Sequence, residues 1–139
     1  MTGIADASAI VAYLNRREGA HPWAVEQFQV YPAPLLTCEA ALAEASFLVR
    51  QLAGGPLAVL RPVQSGALRA AFDLHAERDG VADIVERYAD VPASLADACL
   101  VRMAEMHPDA TVLTLDSDFH VYRKHRREAI AVSMPPVAS

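Results

Sequence analysis

Residues 110–120 read ATVLTLDSDFH, and this stretch decides the fold. Thr111–Leu115 is a short apolar run with the length and composition of a buried strand, and it ends in Asp116 and Asp118, separated by one serine. In an open parallel sheet, ligands bind outside the carboxyl ends of the strands. Acids where an apolar strand runs out are therefore candidates for chemistry. What matters next is whether other segments bring further acids to the same edge.

The first residues supply one. TGIAD (2–6) is a second brief apolar stretch ending in an acid, Asp6, and Ser8 follows as a candidate cap for a helix through Asn15. Strand, acid and immediate helix form the first half of a βαβ unit. A helix from His21 to Val30 opens at Pro22, with Trp23 read as core. After Pro32 and Pro34, Leu35–Leu36 forms a very short strand, and Thr37 caps a helix over Cys38–Leu52 that stops at Gly54–Gly55–Pro56. Leu57–Arg61 stays ambiguous. Alternation across Ala67–Phe72 predicts an edge strand, with a helix from Asp73 to about Tyr88 after it. Ser94 caps the next helix, to about Met106, and Ala129–Met134 supplies a fifth strand beyond the basic segment Arg123–Arg127. Strands alternating with helices predict an α/β/α sandwich around a parallel sheet, with Asp6 and Asp116 on one edge through right-handed crossovers.

Two helices bring acids as well. With about 100° between successive residues, Ala41, Ala45, Leu48, Val49 and Leu52 make the apolar face of the third helix. Glu44 lies at the margin of that face and Glu39 opposite it, in the first turn, where the helix dipole favours a carboxylate. Glu44 is either a boundary residue with its carboxylate in water or a site acid. In the Ser94 helix, Arg102 and Glu105 mark the wet side and Asp97 projects the other way, beside Leu100, Val101 and Ala104. Ser94-x-x-Asp97 matches a capping box, which would account for Asp97 on its own. An acid on an apolar flank otherwise needs a partner. No cationic side chain is placed to supply one, and a divalent metal would.

Composition narrows the class. The chain has 139 residues, 53% hydrophobic, enough for a sizeable core in one domain spanning residues 1–139. No apolar run is long enough to span a bilayer, and MTGIADAS lacks the basic start and apolar core of a signal peptide, so a cytoplasmic protein is expected. Cys38 and Cys99 are read as reduced core thiols. A net charge of −5 argues against a large electrostatic nucleic-acid footprint but not against an acidic metal site. The five histidines show no ligand or triad spacing and are read as surface residues.

The acids in this order and context resemble the PIN-domain nuclease family, and within it the VapC-type toxins of toxin–antitoxin pairs. The resemblance rests on IADASAIVAYL, TCEAALAEASFLVR, YADVPASLADACLVRMAE and TVLTLDSDFHVYR, which together run across nearly the whole chain. It implies a PIN-like three-layer α/β/α sandwich with about five parallel strands, and Mg²⁺- or Mn²⁺-dependent cleavage of RNA. By motif it assigns catalysis to Asp6, Glu44, Asp97 and Asp116, metal binding to Asp6, Asp97, Asp116 and Asp118, and support of the metal or substrate to Ser8 and Thr114. Asp118 matches an acid whose role is less settled. Where close relatives often carry a further acid ahead of the LADA segment, this chain has Ser94. The resemblance also implies a cognate antitoxin and a homodimer.

Two other readings stand beside it. A haloacid-dehalogenase-type phosphatase also uses strand-end aspartates, but its motif needs a second aspartate where this chain has Ser8. A non-catalytic PIN-like module would use the same acids to bind a basic partner peptide. The cations at Arg123, Lys124, Arg126 and Arg127 fit either RNA phosphate contacts or a solvated charged loop.

Overall fold

The computed structural model describes residues 1–136. Its sheet consists of β1 (Thr2–Ala5), β2 (Leu35–Thr37), β3 (Leu68–Ala70), β4 (Ala110–Leu113) and a last strand at Val132–Ser133. Two further short strands, β5 (Arg123–Lys124) and β6 (Glu128–Ala129), pair antiparallel in a separate hairpin, so the last sheet strand is β7. The sheet order is β3-β2-β1-β4-β7, and every pairing in it is parallel. All five strands therefore end on one edge. The β1–β4 register aligns Ile4 with Val112 and Ala5 with Leu113. The residues that follow, Asp6 and Thr114, consequently leave the sheet side by side.

Side chains alternate across each strand, and this divides the core in two. Ile4 and Val112 face a cluster with α5 (Arg78–Arg87) and α6 (Leu95–Met106), built around Ile84, Leu100, Met103, Phe119 and Tyr122. Ala5, Leu35, Leu68 and Leu113 face the other, with Ile10 of α1 (Ala7–Leu14), Trp23 of α2 (His21–Val30) and Val59 of α4 (Gly55–Ser65). The third helix, α3 (Glu39–Leu48), contributes to both clusters, giving Ala41 to the first and Ala45 to the second. The result is the expected α/β/α sandwich. Cys38 and Cys99 are buried and free.

Several boundaries differ from the sequence reading, each for a local reason. The cap of α1 is Asp6, not Ser8: its carboxylate accepts the Ala9 amide at 2.9 Å, so the helix starts at Ala7. Thr37 does not cap α3. Its hydroxyl instead donates 2.8 Å to the Ala5 carbonyl, joining β2 to β1, and Cys38 takes the cap position without a side-chain bond. The same helix ends at Leu48 rather than Leu52, and Leu48 and Leu52 are exposed, so its buried face is only Ala41, Ala45 and Val49. Gly54, at φ +86°, turns the chain into α4, which absorbs Leu57–Arg61.

Asp73 accepts the Ala76 amide at 3.0 Å in a turn, and α5 begins only at Arg78. The stretch Ala129–Met134 splits, because Ala129 pairs with Arg123 in the hairpin and only Val132–Ser133 joins the sheet. Likewise β4 stops at Leu113, short of Leu115 and three residues before Asp116. Of the histidines, His75, His120 and His125 are exposed, whereas His21 and His107 are half-buried.

The Thr37–Ala5 bond is the one side-chain link between β1 and β2, and it is fully buried. A Thr37→Val variant keeps the shape and leaves the Ala5 carbonyl without this donor. It should lose about 1 kcal/mol of unfolding free energy, read from urea denaturation with an unchanged slope.

Candidate active site

Asp6 leaves the end of β1 and is 5% exposed. Its Oδ1 accepts from the Ser8 hydroxyl at 2.6 Å and from the Ala9 amide at 2.9 Å, and its Oδ2 accepts from the Thr114 hydroxyl. The same two hydroxyls reach across to the chain beyond β4. Ser8 Oγ accepts the Leu115 amide at 2.9 Å, and Thr114 Oγ1 accepts the Asp116 amide at 2.8 Å. Asp116 in turn caps a single 3-10 turn, Ser117–His120, by accepting the Asp118 amide on Oδ1 at 2.9 Å. One continuous chain of hydrogen bonds thus runs from Asp6 through Thr114 and Asp116 to the backbone of Asp118.

Asp97 arrives from the other side, in the first turn of α6. The capping box is real: Ser94 Oγ accepts the Asp97 amide at 3.0 Å, and Asp97 Oδ2 accepts the Ser94 amide at 3.3 Å. The Tyr122 hydroxyl donates to the same Oδ2, also at 3.3 Å. Glu44, in the middle of α3, is exposed.

These acids feel one another. Burial pushes the Asp6 carboxyl up to about 6; hydrogen bonds from Ser8, Thr114 and Ala9 oppose the rise, and the charge of Asp97 adds to it. Burial also raises Asp97, opposed by the Ser94 amide and reinforced by Asp116. Glu44, although exposed, is partly desolvated by its neighbours, which raises it, and the charges of Asp97 and Asp116 add to the rise. Asp6, Glu44, Asp97 and Asp116 therefore share one electrostatic neighbourhood. Asp118 lies at its margin, where burial and the charges of Asp97, Asp118 and Asp116 raise the Tyr122 phenol.

Among the described residues, the ion pairs lie elsewhere, and none involves these acids. Crowded carboxylates, with the proton affinity of Asp6, Glu44 and Asp97 raised and no cationic partner among the described residues, suit a divalent cation, which would relieve the repulsion. The side chains described at this edge offer oxygen donors, as Mg²⁺ prefers. Among the described residues no three acid, histidine or cysteine side chains are gathered into a ready cage. Mg²⁺ does not require one, since it keeps several waters and takes one or two carboxylates. The oxygens without a hydrogen-bond donor among the described residues include Asp97 Oδ1 and Asp116 Oδ2.

Tyr122 was not singled out by the sequence. It lies 25 residues from Asp97, and only its position in the apolar Phe119-x-x-Tyr122 spacing hinted at burial. The basic segment is partly engaged with acids of its own: Arg126 pairs with Asp83 at 2.7 Å, and Lys124 lies 4.0 Å from Glu128. A concavity of about 500 Å³, lined by Cys38, Glu39, Phe72, His75 and Cys99 among others, shares no residue with the acid set.

The PIN domain family matches residues 4–125, which span all four strand-end and helix acids. The chain belongs to the PIN-domain family. It is 35% identical over 115 residues to Ribonuclease VapC26 of Mycobacterium tuberculosis (strain ATCC 25618 / H37Rv), covering 81% of this chain and 85% of that protein. Its fold is similar to the crystal structure of M. tuberculosis VapC20, a Sarcin-Ricin loop cleaving toxin, with a TM-score of 0.72 at 19% identity over 86% of this chain and 94% of that one. The VapC20 likeness speaks to the fold of this PIN domain alone.

Asp6 makes the stability of the metal-free protein depend on pH. The folded state keeps this proton toward pH 6, whereas an ordinary aspartate releases it near 3.8. Stability from this group is full below pH 3.8 and is lost as the pH rises through about 6. The loss is on the order of 3 kcal/mol. In chelator, urea midpoints should therefore fall across that window in the wild type and stay flatter in Asp6→Asn. Identical pH profiles for the two proteins would refute the assignment.

Proposed function

We propose that this PIN domain is a metal-dependent ribonuclease that cleaves RNA phosphodiester bonds and acts as the toxin of a toxin–antitoxin pair. The observation that carries the proposal is the gathering of Asp6, Glu44, Asp97 and Asp116 in one neighbourhood, where Asp97 and Asp116 raise the proton affinity of the acids beside them and, among the described residues, no cationic side chain pairs with any of the four. Similarity to a curated VapC ribonuclease over most of both chains supports the activity.

Asp6, Asp97 and Asp116 would hold Mg²⁺ or Mn²⁺, with Asp118 acting as a further ligand or through the water around it. An ion held there would supply a more acidic bound water and positive charge to offset that on the phosphoryl oxygens. Ser8 and Thr114 keep Asp6 fixed by hydrogen bonds to its two carboxylate oxygens. Glu44, exposed and with raised proton affinity, is the acid suited to take a proton from the attacking water. The partners are an RNA substrate, a cognate antitoxin covering the acidic edge, and a second copy of the chain in a homodimer, all in the cytoplasm. No described helix is long and apolar enough to cross a membrane.

The purified protein should cleave RNA in Mg²⁺ or Mn²⁺ and stop on addition of EDTA. Asp97→Asn should lose cleavage while its circular dichroism and melting curve stay close to those of the wild type. Equal cleavage by both proteins would overturn the assignment. Absence of cleavage by either would instead favour the module that binds a basic peptide.

A further inference from the structure

Asp97 differs from Asp6 in how its carboxylate is held. Asp6 has donors on both oxygens, so its plane is fixed from two sides. At Asp97 both donors, the Ser94 amide and the Tyr122 hydroxyl, fall on Oδ2. Among the described residues Oδ1 receives none. The Ser94 contact comes from the helix's own first turn and is long, at 3.3 Å. Among the described residues, the Tyr122 bond is the only hydrogen bond that reaches the Asp97 carboxylate from another part of the fold.

Tyr122 is built to hold that position. It is fully buried, with its ring edge-on to Phe119 at 5.2 Å and to Tyr88 at 5.1 Å. The Tyr88 hydroxyl accepts the amide of Arg123, the next residue, at 2.7 Å, so the backbone beside Tyr122 is tied down as well. A phenol this constrained cannot follow a carboxylate that rotates; the carboxylate must come to it.

We infer that Tyr122 is a positioning residue for the metal site: its hydroxyl clamps Oδ2 of Asp97 against α6 and thereby presents Oδ1 to the cation. The inference deepens the proposed function and rests on Asp97 being a metal-holding acid. A fixed outer partner orients a ligand and preserves its affinity, and loss of such a partner costs about 10- to 100-fold in metal binding or activity. If the bond served only to satisfy a buried phenol, removing the hydroxyl would leave metal binding untouched.

The test uses the full chain without RNA and Mn²⁺ alone as the probe, with free Mn²⁺ followed by electron paramagnetic resonance. Wild type, Tyr122→Phe and Asp97→Asn are compared, together with their melting temperatures. Phenylalanine keeps the ring contacts and deletes only the donor. Tyr122→Phe should bind Mn²⁺ about tenfold more weakly with its melting temperature essentially unchanged, and Asp97→Asn should lose more. Wild-type affinity in Tyr122→Phe beside a weakened Asp97→Asn would overturn the positioning role and leave the site intact. Wild-type affinity in both would overturn the metal-site reading itself. A loss in Tyr122→Phe that merely follows its unfolded fraction also counts against the role.

Discussion

The structure depends on one buried carboxylate. Asp6 caps α1 through Ala9, receives the Ser8 hydroxyl from that helix, and receives the Thr114 hydroxyl from the residue just past β4, the strand beside its own. Those contacts lock β1, α1 and β4 together where the two central strands end. They also supply the donors a buried carboxylate needs. They do not fully offset burial, because the group still holds its proton toward pH 6. The edge of the sheet is thus kept in register by an acid that remains poorly solvated.

The same economy recurs at two of the other acids. Asp116 caps the 3-10 turn that follows β4, and Asp97 completes the capping box of α6. For Asp97 the structural and chemical readings turn out not to exclude each other, since the cap occupies only Oδ2. Capping brings a carboxylate to a helix start, where the dipole favours negative charge. Three such starts placed on one sheet edge then crowd their acids together. Helix capping and the charge cluster are therefore products of the same geometry.

How much of this could be read from the chain follows from the range of each interaction. Strand-end acids at Asp6 and Asp116 were legible because an apolar run and its last polar residue are adjacent. The capping box at Ser94 and Asp97 was legible for the same reason. Ser8 was misread as a cap because two polar residues compete at the start of α1, and only the strand register shows that Ser8 is needed for the Leu115 amide. Thr37 was misread because its partner is a carbonyl on the neighbouring strand. The third helix was drawn too long, since leucines continue the pattern past Leu48 into residues that the fold leaves in water. The role of Tyr122 was not legible, because nothing local marks a phenol that meets an acid of α6, 25 residues away.

Membership of the PIN-domain family and likeness to a VapC ribonuclease give this acidic edge a chemical setting. The central claim is that its carboxylates are arranged for a divalent cation. Anomalous diffraction from Mn²⁺-soaked crystals of the wild-type protein tests it most directly. The account predicts a manganese peak within coordination distance of Asp97 Oδ1 and bordered by Asp6 and Asp116. Manganese bound only at other acids, with none on this edge, would contradict it.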